Sequence, residues 1–128
     1  MIHLDTNLLV ELVSVGSPGA VTVRDWLAAG EEVGTSAIAW SEFCNGPLSA
    51  EQKDMAFAVL NGRIMDFTWR EGEQAARLFN LGGRRRGSHS DCMIAACAMS
   101  GGSRLATRNT ADFIRLVPLG LLLESLPT

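Results

Sequence analysis

Residues 1–13 read MIHLDTNLLVELV. Ile2 to Leu4 has the length and apolar character of a short strand, and Asp5-Thr6-Asn7 ends it with side chains that favour turns and helix caps. Leu8 to about Ser14 then has helical character. A strand that gives way at once to a helix opens a βαβ unit, and the same alternation recurs outward along the chain. Ser17-Pro18 pairs an N-cap with a proline at the first helical position, so a second helix runs to about Ala29 and stops at Gly30. Val33 to Thr35 is a candidate short strand. Ser36 caps a helix bearing Trp40, Glu42 and Phe43, which stops at Gly46-Pro47. Ser49 with Gln52, and Thr68 with Glu71, have capping-box spacing, opening helices that end at Gly62 and Gly82-Gly83. Ile64 to Phe67 lies between them as a third strand. After a basic loop, Arg84 to His89, Ser90 caps a helix from Asp91 to Ser100, ended by Gly101-Gly102. Arg104 to Thr107 is a fourth strand, Asn109 starts a short helix, and Leu121 to Leu123 is a candidate last strand. The expected fold is α/β: one domain over residues 1–128, with a central parallel sheet of four or five strands and helices on both faces. In such a sheet the ligand site lies beyond the carboxyl ends of the strands, so the residues just after each strand are the ones to inspect.

Composition narrows the class. A chain of 128 residues that is 47% hydrophobic and 20% charged is an ordinary globular domain, large enough to bury a core without disulfides. Three cysteines, Cys44, Cys92 and Cys97, form an odd set without CxxC spacing, which favours reduced thiols over a secreted scaffold or zinc site. The N-terminus carries two acids in its apolar stretch and no basic region, unlike a signal peptide, and Val117 to Leu123 is too short to span a bilayer. The expected location is the cytoplasm, with no membrane association. The net charge is −3, so any handling of nucleic acid relies on local positive charge or on bound metal.

Asp5 follows the first strand, Asp91 opens the helix before the fourth, and Asp112 lies in the short helix after it; Glu42 stands in an apolar helix. Each has a structural explanation: Asp5 as an N-cap, Asp91 and Asp112 as first-turn acids facing a helix dipole, Glu42 as a solvent-facing side chain. Those explanations leave the collection of acids at one edge of the sheet to chance. Clustered carboxylates repel unless a cation relieves them, and an all-oxygen set suits Mg²⁺ or Mn²⁺ rather than zinc.

The ordered segments LDTNLLVEL (4–12), the Glu42 helix, SDCMIAACA (90–98) and LATRNTADF (105–113) resemble PIN-domain proteins of the VapC type from end to end. The resemblance implies a metal-dependent endoribonuclease that is the toxin of a toxin–antitoxin pair, the alternative being a PIN-domain RNA-processing nuclease that is not a toxin. Asp5, Glu42 and Asp91 match the principal metal-binding and catalytic acids, and Asp112 matches a fourth, more variable one. Thr6, Asn7, Thr107 and Asn109 match supporting polar residues. Glu31, Glu32 and Glu51 lie near Glu42 and compete for its assignment. The resemblance also implies Mg²⁺ or Mn²⁺ as cofactor, an RNA substrate, a cognate antitoxin whose basic side chain approaches the acids, and a homodimer. Leu8 to Ala29 offers the antitoxin a surface, and the apolar tail Pro118 to Leu126 is available to a dimer interface.

Arg84, Arg85 and Arg86 precede Asp91 closely enough to hold RNA phosphates, or form a solvated loop. His89 is a candidate substrate contact, while His3 alternates with Ile2 and Leu4 as a structural residue. The three Trp residues fall in separate helices, as core or interface residues, and Cys92 and Cys97 suit helix packing. Rival functions are a receiver-like regulatory domain, an interaction protein with a decayed site, and a metal-free ribonuclease using His3 and His89. The receiver lacks its acidic pair at the first strand and its late lysine, since the one lysine is Lys53. The presence of all four acids opposes a decayed site. Product ends separate the two nuclease chemistries: water attack leaves 5′-phosphate and 3′-hydroxyl, whereas a histidine pair leaves a cyclic phosphate.

Overall fold

The computed structural model describes residues 1–127, so Thr128, the end of the expected domain, lies outside the described residues. In chain order the elements are β1 (Ile2–Leu4), α1 (Thr6–Leu12), α2 (Pro18–Ala28), β2 (Val33–Ser36), α3 (Ala37–Cys44), α4 (Ala50–Leu60), β3 (Ile64–Met65), α5 (Trp69–Leu81), α6 (His89–Ser100), β4 (Arg104–Ala106), α7 (Thr110–Phe113), a 3-10 helix (Ile114–Leu119) and β5 (Leu122–Leu123). The strands form one sheet in the order β3-β2-β1-β4-β5, parallel at every pairing. Leu4 aligns with Thr35 on one side and Ala106 on the other, so β1, β2 and β4 end level with one another.

The strand order explains where a site forms. From β1 the chain steps outward through β2 to β3, then returns past β1 to β4 and β5. With right-handed crossovers, α1 to α4 cover one face and α5 to α7 the other. The direction reverses between β1 and β4, and connections leaving those strands on opposite faces open a crevice beyond their carboxyl ends. Asp5 and Thr107 are the first residues past those two strands.

The three inner strands, β2, β1 and β4, are buried because both faces are covered: Ile2, Leu4, Val33, Leu105 and Ala106 are all at most 1% exposed. Helix α6 is enclosed as well, burying Cys92, Ile94, Ala95, Ala96, Cys97 and Ala98. Its small side chains let it pack against α5, β2 and β4 together. Gly34 in β2 permits a comparable approach, since a Cβ there would stand 2.7 Å from the Arg63 carbonyl oxygen.

Local capping holds as the sequence indicates for Ser17, Ser36 and both capping boxes. Several boundaries differ, α1 beginning at Thr6 rather than Leu8 and β5 at Leu122 rather than Leu121. β3 covers only Ile64–Met65, leaving Asp66 and Phe67 outside the sheet, and β4 ends at Ala106 rather than Thr107. α6 begins at His89, not after Ser90: the Ser88 hydroxyl donates to the Arg85 carbonyl oxygen at 2.6 Å, closing the loop, and Ser88 is an N-cap without a side-chain cap bond. The tail is divided: Leu121 is 1% exposed and Leu119, Leu123 and Leu126 are partly buried against the core, while Pro118 and Leu122 are exposed.

Candidate functional site

Asp5 is the N-cap of α1, and its two oxygens divide the work. Oδ1 accepts from the Thr6 amide at 2.8 Å, the capping bond, while Oδ2 accepts from the Thr107 hydroxyl at 2.7 Å and the Asn7 side-chain amide at 3.4 Å. The cap and the site residue, alternatives in the sequence, are one side chain. Thr107 relays the contact, because its hydroxyl also accepts from the Asn109 backbone amide at 3.0 Å. Asn7 joins the other side, its Oδ1 accepting from the Arg108 amide at 3.2 Å. The turns after β1 and β4 are thereby stitched into one polar network. Asp5 is 5% exposed, and burial raises its carboxyl above the usual carboxylate range; the Thr107, Thr6 and Asn7 hydrogen bonds oppose that and the Asp112 charge adds to it.

Glu42 is on the exposed face of α3, and its Oε1 accepts from the Thr6 hydroxyl at 3.0 Å. Its competitors lie elsewhere: Glu31 pairs with Arg104 at 3.1 Å and Glu32 with Arg63 at 3.2 Å, both among residues at the amino ends of the strands, while Glu51 is in the first turn of α4. Asp91 is the third residue of α6, and burial, then the charges of Asp5, Asp112 and Glu42, push its carboxyl up to about 6; Arg115 opposes them. The Coulombic effects record negative charge converging from β1, α3, α6 and α7.

Asp5, Thr6, Asn7, Glu42, Asp91 and Asn109 line an open cleft of about 300 Å³. Asp112 is not part of that lining. It stands at the rim and pairs with Arg85 at 3.2 Å. Of the supporting residues, Thr6, Asn7 and Thr107 act through side chains; Asn109 reaches the network through its backbone amide and makes no side-chain cap bond.

The donor set fits a hard divalent cation. Carboxylate, hydroxyl and amide oxygens line the cleft, with no imidazole or thiol. Asp91, raised to about 6 by burial and then by the charges of Asp5, Asp112 and Glu42, stands where added positive charge is favourable. The side chains stand open: among the described residues no three His, Cys, Asp or Glu side chains converge into a ready-made cage. Such openness suits Mg²⁺, which keeps much of its water and needs few carboxylates.

The arginine run does not act as a unit. Arg85 is committed to Asp112. Arg84, with φ of 51°, lies 5.2 Å from the Phe79 ring centroid and donates to the Asn80 side chain, and Arg86 is exposed. His89, exposed at the start of α6, packs edge-on against Phe79 at 6.0 Å. His3 is 3% exposed and burial lowers it to about 4, which leaves it neutral and unsuited to acid–base work near neutral pH.

The sequence does not single out two arginines that stand near the site. Arg108 grips Glu11 bidentately at 2.7 and 2.9 Å, and Glu11 also accepts from the Gly19 amide at 2.8 Å, fastening α1 to α2 and to the turn after β4. Gly19 is required there, since a Cβ would stand 2.6 Å from Glu11 Oε1. Arg115 donates to the Asp112 carbonyl oxygen from behind the acids, with Nη2 buried and without a protein partner. Its three-residue spacing from Asp112 is the signal that could have found it.

A PIN domain family model matches residues 2–117. No protein with a curated description matches the sequence. Among solved structures, FitAcB from Neisseria gonorrhoeae is similar at TM-score 0.74 and 23% identity, covering 98% of this chain and 97% of that one. VapBC2 from Rickettsia felis, bound to a DNA fragment from its promoter, gives 0.68 and 24% over 99% and 100%. A toxin–antitoxin complex from Klebsiella pneumoniae gives 0.70 and 24% over 88% and 90%.

Proposed function

This chain belongs to the PIN domain family, and from that premise we propose that it is a Mg²⁺- or Mn²⁺-dependent endoribonuclease acting in the cytoplasm as the toxin of a toxin–antitoxin pair. The observation that supports this reading is the meeting of Asp5, Glu42 and Asp91, from three separate elements, around one oxygen-lined cleft at the strand-order reversal. The family removes the receiver-like alternative, and the buried, neutral His3 removes the histidine-pair mechanism.

Asp5, Glu42 and Asp91 would hold the cation, with Asp112 at its edge. Bound there, a divalent cation supplies Lewis-acid stabilisation of a phosphodiester and activation of water. The chain's own polar groups prepare the acids. Thr107 and Asn7 hold Asp5 Oδ2, and the capping bond from Thr6 holds Oδ1, so this carboxylate is oriented before any ligand arrives. The Thr6 hydroxyl holds Glu42 toward the cleft from α3. Arg84 and Arg86, in the loop leading to Asp91, would meet RNA phosphates, and Arg85 would join them on leaving Asp112.

The partner reading rests on the solved toxin–antitoxin complexes and on an apolar hollow of about 190 Å³ between α1 and the α3–α4 connection, lined by Val10, Val13, Phe43 and Leu48. That hollow lies at one side of the Leu8 to Ala29 surface and extends it toward α4. An antitoxin segment would cover it, and a homodimer would use other faces.

The test is cleavage of RNA by purified protein. Chelator is expected to abolish cleavage, Mg²⁺ or Mn²⁺ to restore it, and the products to carry 5′-phosphate and 3′-hydroxyl ends. Undiminished cleavage in chelator, or cyclic-phosphate ends, would overturn the reading.

A further inference from the structure

A second, larger hollow of about 410 Å³ lies beyond the carboxyl ends of β4 and β5. Thr107, Arg108 and Thr110 form one wall and residues 123–127 the other. It is therefore at the same sheet edge as the acid cleft, displaced by one strand, and the turn after β4 lies between the two: Thr107, Arg108 and Thr110 line this hollow and Asn109 lines the acid cleft. Thr107 is the closest link: it lines this hollow while its hydroxyl holds Asp5.

The hollow's charges are already spent. The Arg108 guanidinium is taken by Glu11 at 2.7 and 2.9 Å, and Glu124 pairs with Arg104 at 2.7 Å. What remains for a ligand is the hydroxyls of Thr110 and Ser125 and the apolar surfaces of Leu123, Leu126 and Pro127. A wall of that kind does not attract a phosphate, which needs uncompensated cations. It suits a flat, largely apolar group with hydrogen-bonding edges.

We propose that this hollow receives the base of a nucleotide flanking the scissile phosphate, so that the RNA strand runs from the acid cleft across residues 107–110. The proposal rests on the nuclease reading of the acid cleft and assigns its strand path. Bases enter by dispersion and by edge contacts with the two hydroxyls, which makes the hollow a source of local base preference.

The experiment uses the full chain, a short RNA oligonucleotide, and the same oligonucleotide with single abasic substitutions on either side of its cleavage site. In chelator, the intact oligonucleotide is expected to shift the backbone amide resonances of Thr110 and Ser125. One abasic position should remove those shifts and weaken binding about tenfold, the equivalent of ~1.4 kcal/mol. Ser125→Trp fills the hollow from an exposed position and should abolish the difference between intact and abasic RNA. Thr110→Val, which keeps the side-chain shape, should reduce it. Equal binding of intact and abasic RNA by wild type overturns the proposal. So does a free nucleoside monophosphate that produces the full shift at the same concentration, which would make the hollow a mononucleotide site. Cleavage with added Mg²⁺ is read separately. Base-dependent binding without metal-dependent cleavage defeats the nuclease reading and leaves the hollow as an RNA-base site. Metal-dependent cleavage indifferent to the abasic positions does the reverse.

Discussion

At the residue scale, the decisive property of the cleft is that Asp5 and Glu42 are held by neutral donors. Asp5 has three hydrogen-bonding partners and Glu42 one, and none of these four bonds comes from a cation. Asp91, raised to about 6 first by burial, also feels the charges of Asp5, Asp112 and Glu42. Asp91→Asn keeps the shape of the side chain and removes one of the repelling charges. In chelator near neutral pH this variant is expected to be as stable as wild type or more stable. A purely first-turn acid would instead lose about 0.3–1 kcal/mol of dipole interaction on the same change. With Mn²⁺ at a hundredfold excess over Kd, wild type should gain about 2.7 kcal/mol and the variant should lose most of that gain. Chemical denaturation of both proteins measures this, and a variant that is weakened in chelator yet gains fully from Mn²⁺ would falsify the placement of Asp91 in the cation site. Asp5 and Asp112 stand out in the sequence by coming just after strands, whereas Asp91 opens a helix and Glu42 lies inside one. The partner of Asp112 does not stand out, because its pairing with Arg85 joins α7 to the α5–α6 loop, segments adjacent only in the fold.

At the element scale, the helix ends govern what reaches the site. Glu71 closes the capping box of α5, its Oε1 accepting from the Thr68 amide and hydroxyl at 2.9 and 2.6 Å, and its Oε2 accepts from the Ser100 hydroxyl at 2.8 Å at the end of α6. Those bonds hold its carboxyl down from 4.5 to about 2. Because the folded value lies below the unfolded one, the stabilisation is fully present above about 4.5 and disappears as pH falls toward 2. Glu71→Gln should therefore unfold more easily than wild type at neutral pH, and the gap should close across that acidic window in a pH series of denaturation midpoints. A gap that stayed constant with pH would remove the charge of Glu71 from the account. The loop between these two helices carries the arginines. Replacing Arg84 and Arg86 with Gln is expected to flatten the dependence of log Kobs for RNA on log[salt] by about one for each phosphate that the protein no longer neutralises, with little change in sequence preference. Extending the change to Arg85 should flatten it further only if that side chain leaves Asp112 for the RNA. An unchanged slope in the double variant returns the loop to a solvated turn. The sequence reads Ser90 as the cap of α6. The helix instead starts at His89, with Ser88 as an N-cap that makes no side-chain cap bond and whose hydroxyl closes onto the Arg85 carbonyl oxygen, an interaction that depends on the path of the loop.

At the scale of the whole molecule, the reversal of strand order between β1 and β4 brings distant segments into one chemical unit: Thr107 reaches Asp5 and Glu42 reaches Thr6. If that unit is a toxin's active site, expressing the chain alone should arrest growth, and Asp5→Asn or Asp91→Asn should relieve the arrest while soluble protein accumulates to wild-type levels. Arrest that survives both changes would count against nuclease toxicity, and relief by co-expression of a neighbouring antitoxin would support the partner reading. The amino-acid sequence by itself determined the alternation of strands and helices, the parallel α/β class, most of the caps and the candidate acids Asp5 and Asp112 just after β1 and β4. Those features are local, depending on periodicity, on cap chemistry within three residues, and on acids that follow strands. Tertiary structure alone decided that Glu42 and not Glu31 or Glu32 faces the cleft, since sheet register puts the latter two beside Arg104 and Arg63 at the far edge. It alone spent Arg85 on Asp112 and Arg108 on Glu11, and it alone set a second hollow beside the first across residues 107–110. Each of these depends on which segments the fold makes neighbours, and for charges many residues apart that is settled by packing and crossover handedness, not by spacing along the chain.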